Sequence, residues 1–137
     1  MTKSTKEFLN PDTLMRPAGY SHIARLTSGA MVYIAGQVSS DASGQLVGEG
    51  DFEAQAEQVF RNLKAAVEAA GGGMADLVKI NIFLVEEVPP EAVAKLRVVR
   101  DRYVNVEKPP ASTLVVVSRL ARPGWLIEIE AVAALDG

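Results

Sequence analysis

Between residues 52 and 85 the apolar residues change their spacing once, and that change restricts the fold more than any other feature. Phe52, Ala56, Val59, Phe60, Leu63, Ala66, Val67 and Ala70 recur at helical intervals, with Glu53, Glu57, Arg61, Lys64 and Glu68 opposite them. Asp51 stands where an N-cap belongs, and Gly71-Gly72-Gly73 ends the pattern. LVKINIFLV (77–85) then alternates: Val78, Ile80, Ile82 and Leu84 share one face, Lys79, Asn81 and Phe83 the other. An amphipathic helix followed at once by a strongly apolar strand needs a layered arrangement, with the helix lying on a sheet.

The flanking segments supply the other strands. HIARLTS (22–28) and MVYIAG (31–36) read as two strands joined at Ser28-Gly29, a hairpin. Residues 39–50 are glycine-rich and read as a loop with a short edge strand near 45–47. Pro89-Pro90 open a second helix whose buried stripe is Val93, Leu96, Val99 or Arg100, and Tyr103. Two strands close the chain, at about 112–120 and 125–134, joined through Pro123-Gly124. Residues 1–19, with Asn10-Pro11 and Arg16-Pro17, read as an irregular arm. The order ββ-α-β-α-ββ predicts one α+β domain over 1–137: a single mixed sheet with both helices packed on one face. The other face also carries Val, Ile and Leu, and another copy of the chain is the expected cover.

Composition excludes several kinds of protein. With 14 Lys+Arg against 17 Asp+Glu the net charge is −3, and no basic cluster offers a nucleic-acid footprint. Arg97, Arg100 and Arg102 read as the solvated side of a helix, without interleaved aromatics for stacking bases. No cysteine is present, so thiol nucleophiles, disulfides and Cys-based metal sites are absent. The single histidine, His22, reads as a hydrogen-bonded structural residue. No apolar run approaches the ~18–20 residues that span a bilayer, and MTKSTKEFLNPD holds no secretory pattern. A soluble cytoplasmic protein, without nucleic-acid or membrane partners, is the expectation.

GYSHIARLTSGAMVYIAGQVSSDASGQLVGEGDFEAQAEQVFRNLKAAVEAAGGGMADLVKINIFL resembles the first two-thirds of the Rid/YjgF family of reactive-intermediate imine/enamine deaminases. PASTLVVVSRL and IEIEAVA resemble that family's last third, so the likeness runs over about residues 16–134. It implies a chorismate-mutase-like α+β fold and a homotrimer with its sheets facing the interior. It also implies a small-molecule ligand at each subunit interface, and hydrolysis of 2-imino or enamino acids without metal or organic cofactor.

Carried over position by position, the resemblance implies Glu128 of IEIEA as the residue that handles the attacking water. Tyr20 of GYS and Gly36 would contact substrate, with Ala35 where serine is common. The family's carboxylate-binding arginine falls on Ser112, which marks the chain as an atypical member lacking that arginine and leaves Ser112 and Thr113 as a neutral polar wall. Losing such a charge-assisted bond removes ~1.5–3 kcal/mol of anchoring. Arg119 is no replacement, having the opposite strand parity and lying ~23 Å further along; Arg16, Arg25 and Arg122 are alternatives among which the sequence does not choose. Glu130 shares a strand face with Glu128 and reads as structural. Two other functions compete with the hydrolase: a non-catalytic trimer that binds a metabolite, and a ribonuclease or translation inhibitor.

Overall fold

In the computed structural model, which describes residues 5–136, the helical stripe becomes α1 (Phe52–Ala69). Asp51 caps it, Oδ1 accepting the Ala54 N–H at 3.0 Å, a contact worth ~1 kcal/mol. The chain leaves through Gly71 at φ +94°, a conformation that a β-carbon would strain. A 3-10 turn, Met74–Asp76, leads into β4 (Leu77–Val85). Val59, Phe60, Leu63 and Val67 of α1 join Ile80 and Ile82 of β4 in one buried core.

The main sheet has four strands in the order β3 (Ala30–Val38), β6 (Ile127–Leu135), β4, β5 (Ala111–Val117). β6 runs antiparallel to both neighbours, while β5 is parallel to β4. That parallel step needs a crossover, which α2 (Ala92–Asp101) provides. The mixed sheet and two helices are therefore as expected. The two terminal strands are not neighbours, however, because β4 lies between them. β4 and β6 both bury their alternate residues almost completely, so these two apolar strands take the inner places and β3 and β5 flank them.

The expected 22–28/31–36 hairpin does not form, and the sheet is not single. β2 (Ile23–Leu26) pairs with β1 (Lys6–Leu9) in a separate two-stranded ribbon. β1 lies inside the arm expected to be irregular; residues 1–4 of that arm are outside the described part. The ribbon is held by Lys6, whose Nζ donates to Asp76 Oδ1 at 2.8 Å and to the Ala134 carbonyl at 2.6 Å. Gly29 turns the chain between β2 and β3 at φ +111°, so close to the Leu135 carbonyl that a β-carbon would stand 2.4 Å from its oxygen. The loop 39–50 gains one isolated bridge, Ser40 with Leu46, in place of an edge strand.

Two consequences matter for the site. The sheet face away from the helices presents Tyr33, which is 77% exposed, and Val115, 42% exposed. The register puts Glu128 beside Phe83 and Glu130 beside Asn81 on that same face. The start of β6 is fixed by the fully buried Gln55. Its Nε2 donates to the Gly48 and Gly124 carbonyls at 3.1 and 2.9 Å, and its Oε1 accepts the Leu126 N–H at 2.9 Å. All its amide capacity but one lone pair is used, so the strand entry is set by α1.

Candidate functional site

Glu128 and Gly36 come together at an irregularity in the sheet. Between Ile34 and Gln37 the β3–β6 register slips: three steps along β3 match two along β6, from Ala131 to Ile129. The extra residue makes a β-bulge at Ala35-Gly36, which withdraws backbone polar groups from the ladder. The Glu128 carboxyl lies directly over Gly36, so that a β-carbon there would stand 2.0 Å from Oε2. Position 36 therefore needs a residue without a side chain for the carboxyl to stay where it is. Ala35 lies next to Glu130 and Tyr33 on the same outward face. Gly36→Ala is expected to swing the carboxyl aside at little cost in stability, since only the end of a flexible side chain must move. Any activity that depends on the Glu128 carboxylate should fall almost as far as on its loss, while the melting temperature moves by no more than a few degrees.

Tyr20 and Ser112 also meet, but elsewhere. They line a cavity of about 250 Å³ beneath α2, together with Ala18, Arg97 and Arg100. Its apolar wall includes Ile82, Leu96 and Leu114. Ser112 points toward the helices because it pairs with Ile80, an inward residue of β4. Thr113 pairs with Asn81 and points the other way, its Oγ1 accepting from Lys79 Nζ at 2.7 Å. The shared Ser112-Thr113 wall is thus corrected: period-two alternation puts the two hydroxyls on opposite faces. His22 is hydrogen-bonded locally, its ring to the Met15 carbonyl at 2.5 Å and its N–H to Asn10 Oδ1 at 2.7 Å. Its ring meets Tyr20 edge-on at 5.3 Å.

The arginines are also redistributed. Arg100 is only 8% exposed, which removes it from the solvated set with Arg97 and Arg102. None of Arg16, Arg25 and Arg122 lines the cavity; Arg25 pairs with Glu7 at 2.8 Å and Arg122 lies over Trp125. A signal for Arg100 was present in the sequence, since it lies four residues after Leu96 and seven after Val93, on the apolar stripe itself. Its charge hid it.

A family model described as Endoribonuclease L-PSP matches residues 12–135. The crystal structure of a member of the conserved Rid protein family from Yersinia pestis is 37% identical, covering 96% of this chain and 100% of that one at a TM-score of 0.87. The chain belongs to the Rid/YjgF family. A RutC family protein of Pyrococcus horikoshii is 36% identical over 93% of this chain and 97% of its own. A Rid relative from Dermatophagoides farinae, named 2-iminobutanoate/2-iminopropanoate deaminase, is 35% identical over 59% of this chain and 62% of its own.

Within one Rid chain the two groups of residues stay apart. Ser112 sits opposite Ile80 and Glu128 opposite Phe83, with β4 between their strands. Two strand spacings and three residues separate them by roughly 14 Å in the plane of the sheet, and they point to opposite faces. Among the described residues no cluster of three or more His, Asp or Glu side chains is placed to hold a metal ion, and no helix is long and apolar enough to cross a membrane.

Proposed function

We propose that the protein is a cytoplasmic Rid-type hydrolase of small reactive imines or enamines, assembled as a homotrimer whose ligand sites lie between subunits. The observation that carries this reading is the Glu128 carboxyl held over the glycine of a β-bulge. That arrangement puts a general base beside backbone groups freed from the ladder, on an outward face with exposed apolar residues. Family membership and the named activity of the mite relative support it. A second copy seated on this face would cover Tyr33 and Val115 and bring its own Ser112 and Tyr20 toward Glu128, completing a site that one chain leaves in halves.

In the proposed reaction Glu128 takes a proton from a water molecule as the water's oxygen bonds to the imine carbon. The carbon–nitrogen double bond becomes single, and Glu128 passes the proton it has taken to the nitrogen. Collapse of the resulting carbinolamine then breaks the carbon–nitrogen bond, releasing ammonia and a carbonyl compound. An enamine enters the same route after protonation at carbon. No electrons leave or enter the substrate, so the residues on the page suffice.

The test generates imines in situ with an amino-acid oxidase and follows their disappearance by stopped-flow absorbance. Decay faster than the spontaneous rate, in proportion to protein, is the expected result. Ligand-induced stabilisation without turnover of any imine would instead favour the metabolite-binding trimer. The ribonuclease reading gains nothing from the electrostatics, since a chain of net charge −3 offers a phosphodiester backbone little to hold.

A further inference from the structure

We propose that Arg100, borne by α2, is the anion anchor of the cavity over Ser112, and that the cavity takes the carboxylate of a small aliphatic acid. This extends the hydrolase reading by naming the substrate's anchor, and rests on that reading only for the group that reacts.

The argument starts from an arginine that is almost entirely buried and under-bonded. Its Nε donates to Asp101 Oδ1 at 2.9 Å, and that aspartate side chain is itself 47% exposed. A guanidinium carries five N–H donors, and among the described residues Nη1 and Nη2 meet no acceptor. Among the described residues the one sealed side-chain polar atom without a partner is Trp125 Nε1, so both Nη groups of Arg100, though they bond no protein acceptor, still reach solvent and can be approached by a solute. Asp101 offsets part of the charge and fixes one edge of the plane; the two-pronged edge remains for something else. Arg100 is one of the residues that line the cavity.

The surroundings select the occupant. Gly19, at φ +80°, lies so close that a β-carbon would stand 2.2 Å from Arg100 Nη2. The backbone of residues 18–20 is thus laid against the guanidinium and limits how it can turn. Ser112 and Tyr20 bring hydroxyls to the same cavity, Arg97 adds a second cation, and no carboxylate of the chain lines it. An anion is therefore favoured over a cation. Two coplanar oxygens match the guanidinium fork, and one hydroxyl from Ser112 remains to bond either of them. Ile82, Val93, Leu96 and Leu114 form the rest of the lining, which suits a short hydrocarbon tail and not the further polar oxygens of a phosphate. The cation that the family resemblance leads one to expect at position 112 would then come from the neighbouring helix.

The test uses the full-length protein and butyrate. In a side-chain 15N spectrum the Arg100 Nε–H, held by Asp101, serves as the reporter. Butyrate should shift it saturably, propanol should not, and inorganic phosphate should bind more weakly than butyrate. Arg100→Lys keeps the charge but loses the fork; it should raise the butyrate Kd by about tenfold or more and raise KM for an imino acid with little change in kcat. Ser112→Ala should have a smaller effect in the same direction. An Arg100 resonance unmoved by saturating butyrate, tighter binding of phosphate, or an Arg100→Lys protein that binds like the wild type would each overturn the assignment. Should the lysine variant fail to fold, the wild-type titration decides alone. Butyrate binding at Arg100 without imine turnover would keep this anchor and end the hydrolase reading; turnover with KM indifferent to Arg100→Lys would do the reverse.

Discussion

Glu128→Gln is expected to lower imine hydrolysis by about 10²–10⁴-fold, the usual share of a general acid–base group, with the fold unchanged. Glutamine has the same shape as glutamate and still clears Gly36. It retains a hydrogen-bonding oxygen but cannot accept a proton from water. Substrate affinity should change little, because the proposed anchor lies on the other half of the site. The loss should therefore appear in kcat and not in KM, which stopped-flow traces at several substrate concentrations separate. A Glu128→Gln protein of wild-type rate would remove Glu128 from the chemistry. Glu130→Gln is the control: among the described residues Glu130 accepts only a long 3.4 Å contact from Asn81, and its replacement should leave the rate near that of the wild type.

The largest effect on stability is expected from Phe60→Ala, about 3–5 kcal/mol. Phe60 is fully buried in the centre of α1 and stacks on Tyr103 with centroids 5.5 Å apart and planes 15° from parallel. Tyr103 follows α2, and its hydroxyl is bonded to Glu57 of α1. Burial, and then the neighbouring Glu57 carboxylate, push that phenol above its ordinary pKa. The aromatic pair is thus the join between the two helices. Removing the ring leaves a void on one side and an unsupported tyrosine on the other, so the melting temperature should fall by more than about 10 °C. Calorimetry checks the magnitude; a loss below about 1 kcal/mol would mean that the helices close over the gap. Because α2 carries Arg100, butyrate affinity should weaken in the same variant.

The parts of this structure legible in the sequence are those set by local spacing. α1 and β4 follow from apolar periodicity, and α2 from Pro89-Pro90 and its stripe. Strand partnership was less legible, because adjacency in sequence is only a default. β5 and β6 follow one another in the chain yet lie on either side of β4, and β2 pairs with β1 although β3 follows it directly through Gly29. Both depend on which distant strand offers the better apolar face, a comparison no local window contains. The site divides the same way. Gly36 and Glu128 were named through the resemblance, and the bulge explains why they meet. Ser112 and Thr113 were treated as a unit although alternation alone separates them. Arg100 reads two ways in the sequence, as an alternative to Val99 on the buried stripe and as part of the solvated arginine set; only the packed structure, with Gly19 against its guanidinium, decides.

The placement of the two half-sites has a consequence for how such a protein can diversify. Ile82, the α2 side chains and Ser112 all lie on one uninterrupted stretch of chain, β4 through β5, whereas Gly36 and Glu128 belong to β3 and β6. Apart from Ala18 and Tyr20, the proposed grip is thus carried by one contiguous segment, separate from the strands that carry the proposed reacting group. Under the proposed reading, the cation that the family resemblance leads one to expect at position 112 comes instead from Arg100 on the crossover helix. A change of residue at a single alignment column is then poor evidence that a function has been lost, and the unit to compare between relatives is the whole strand–helix–strand segment.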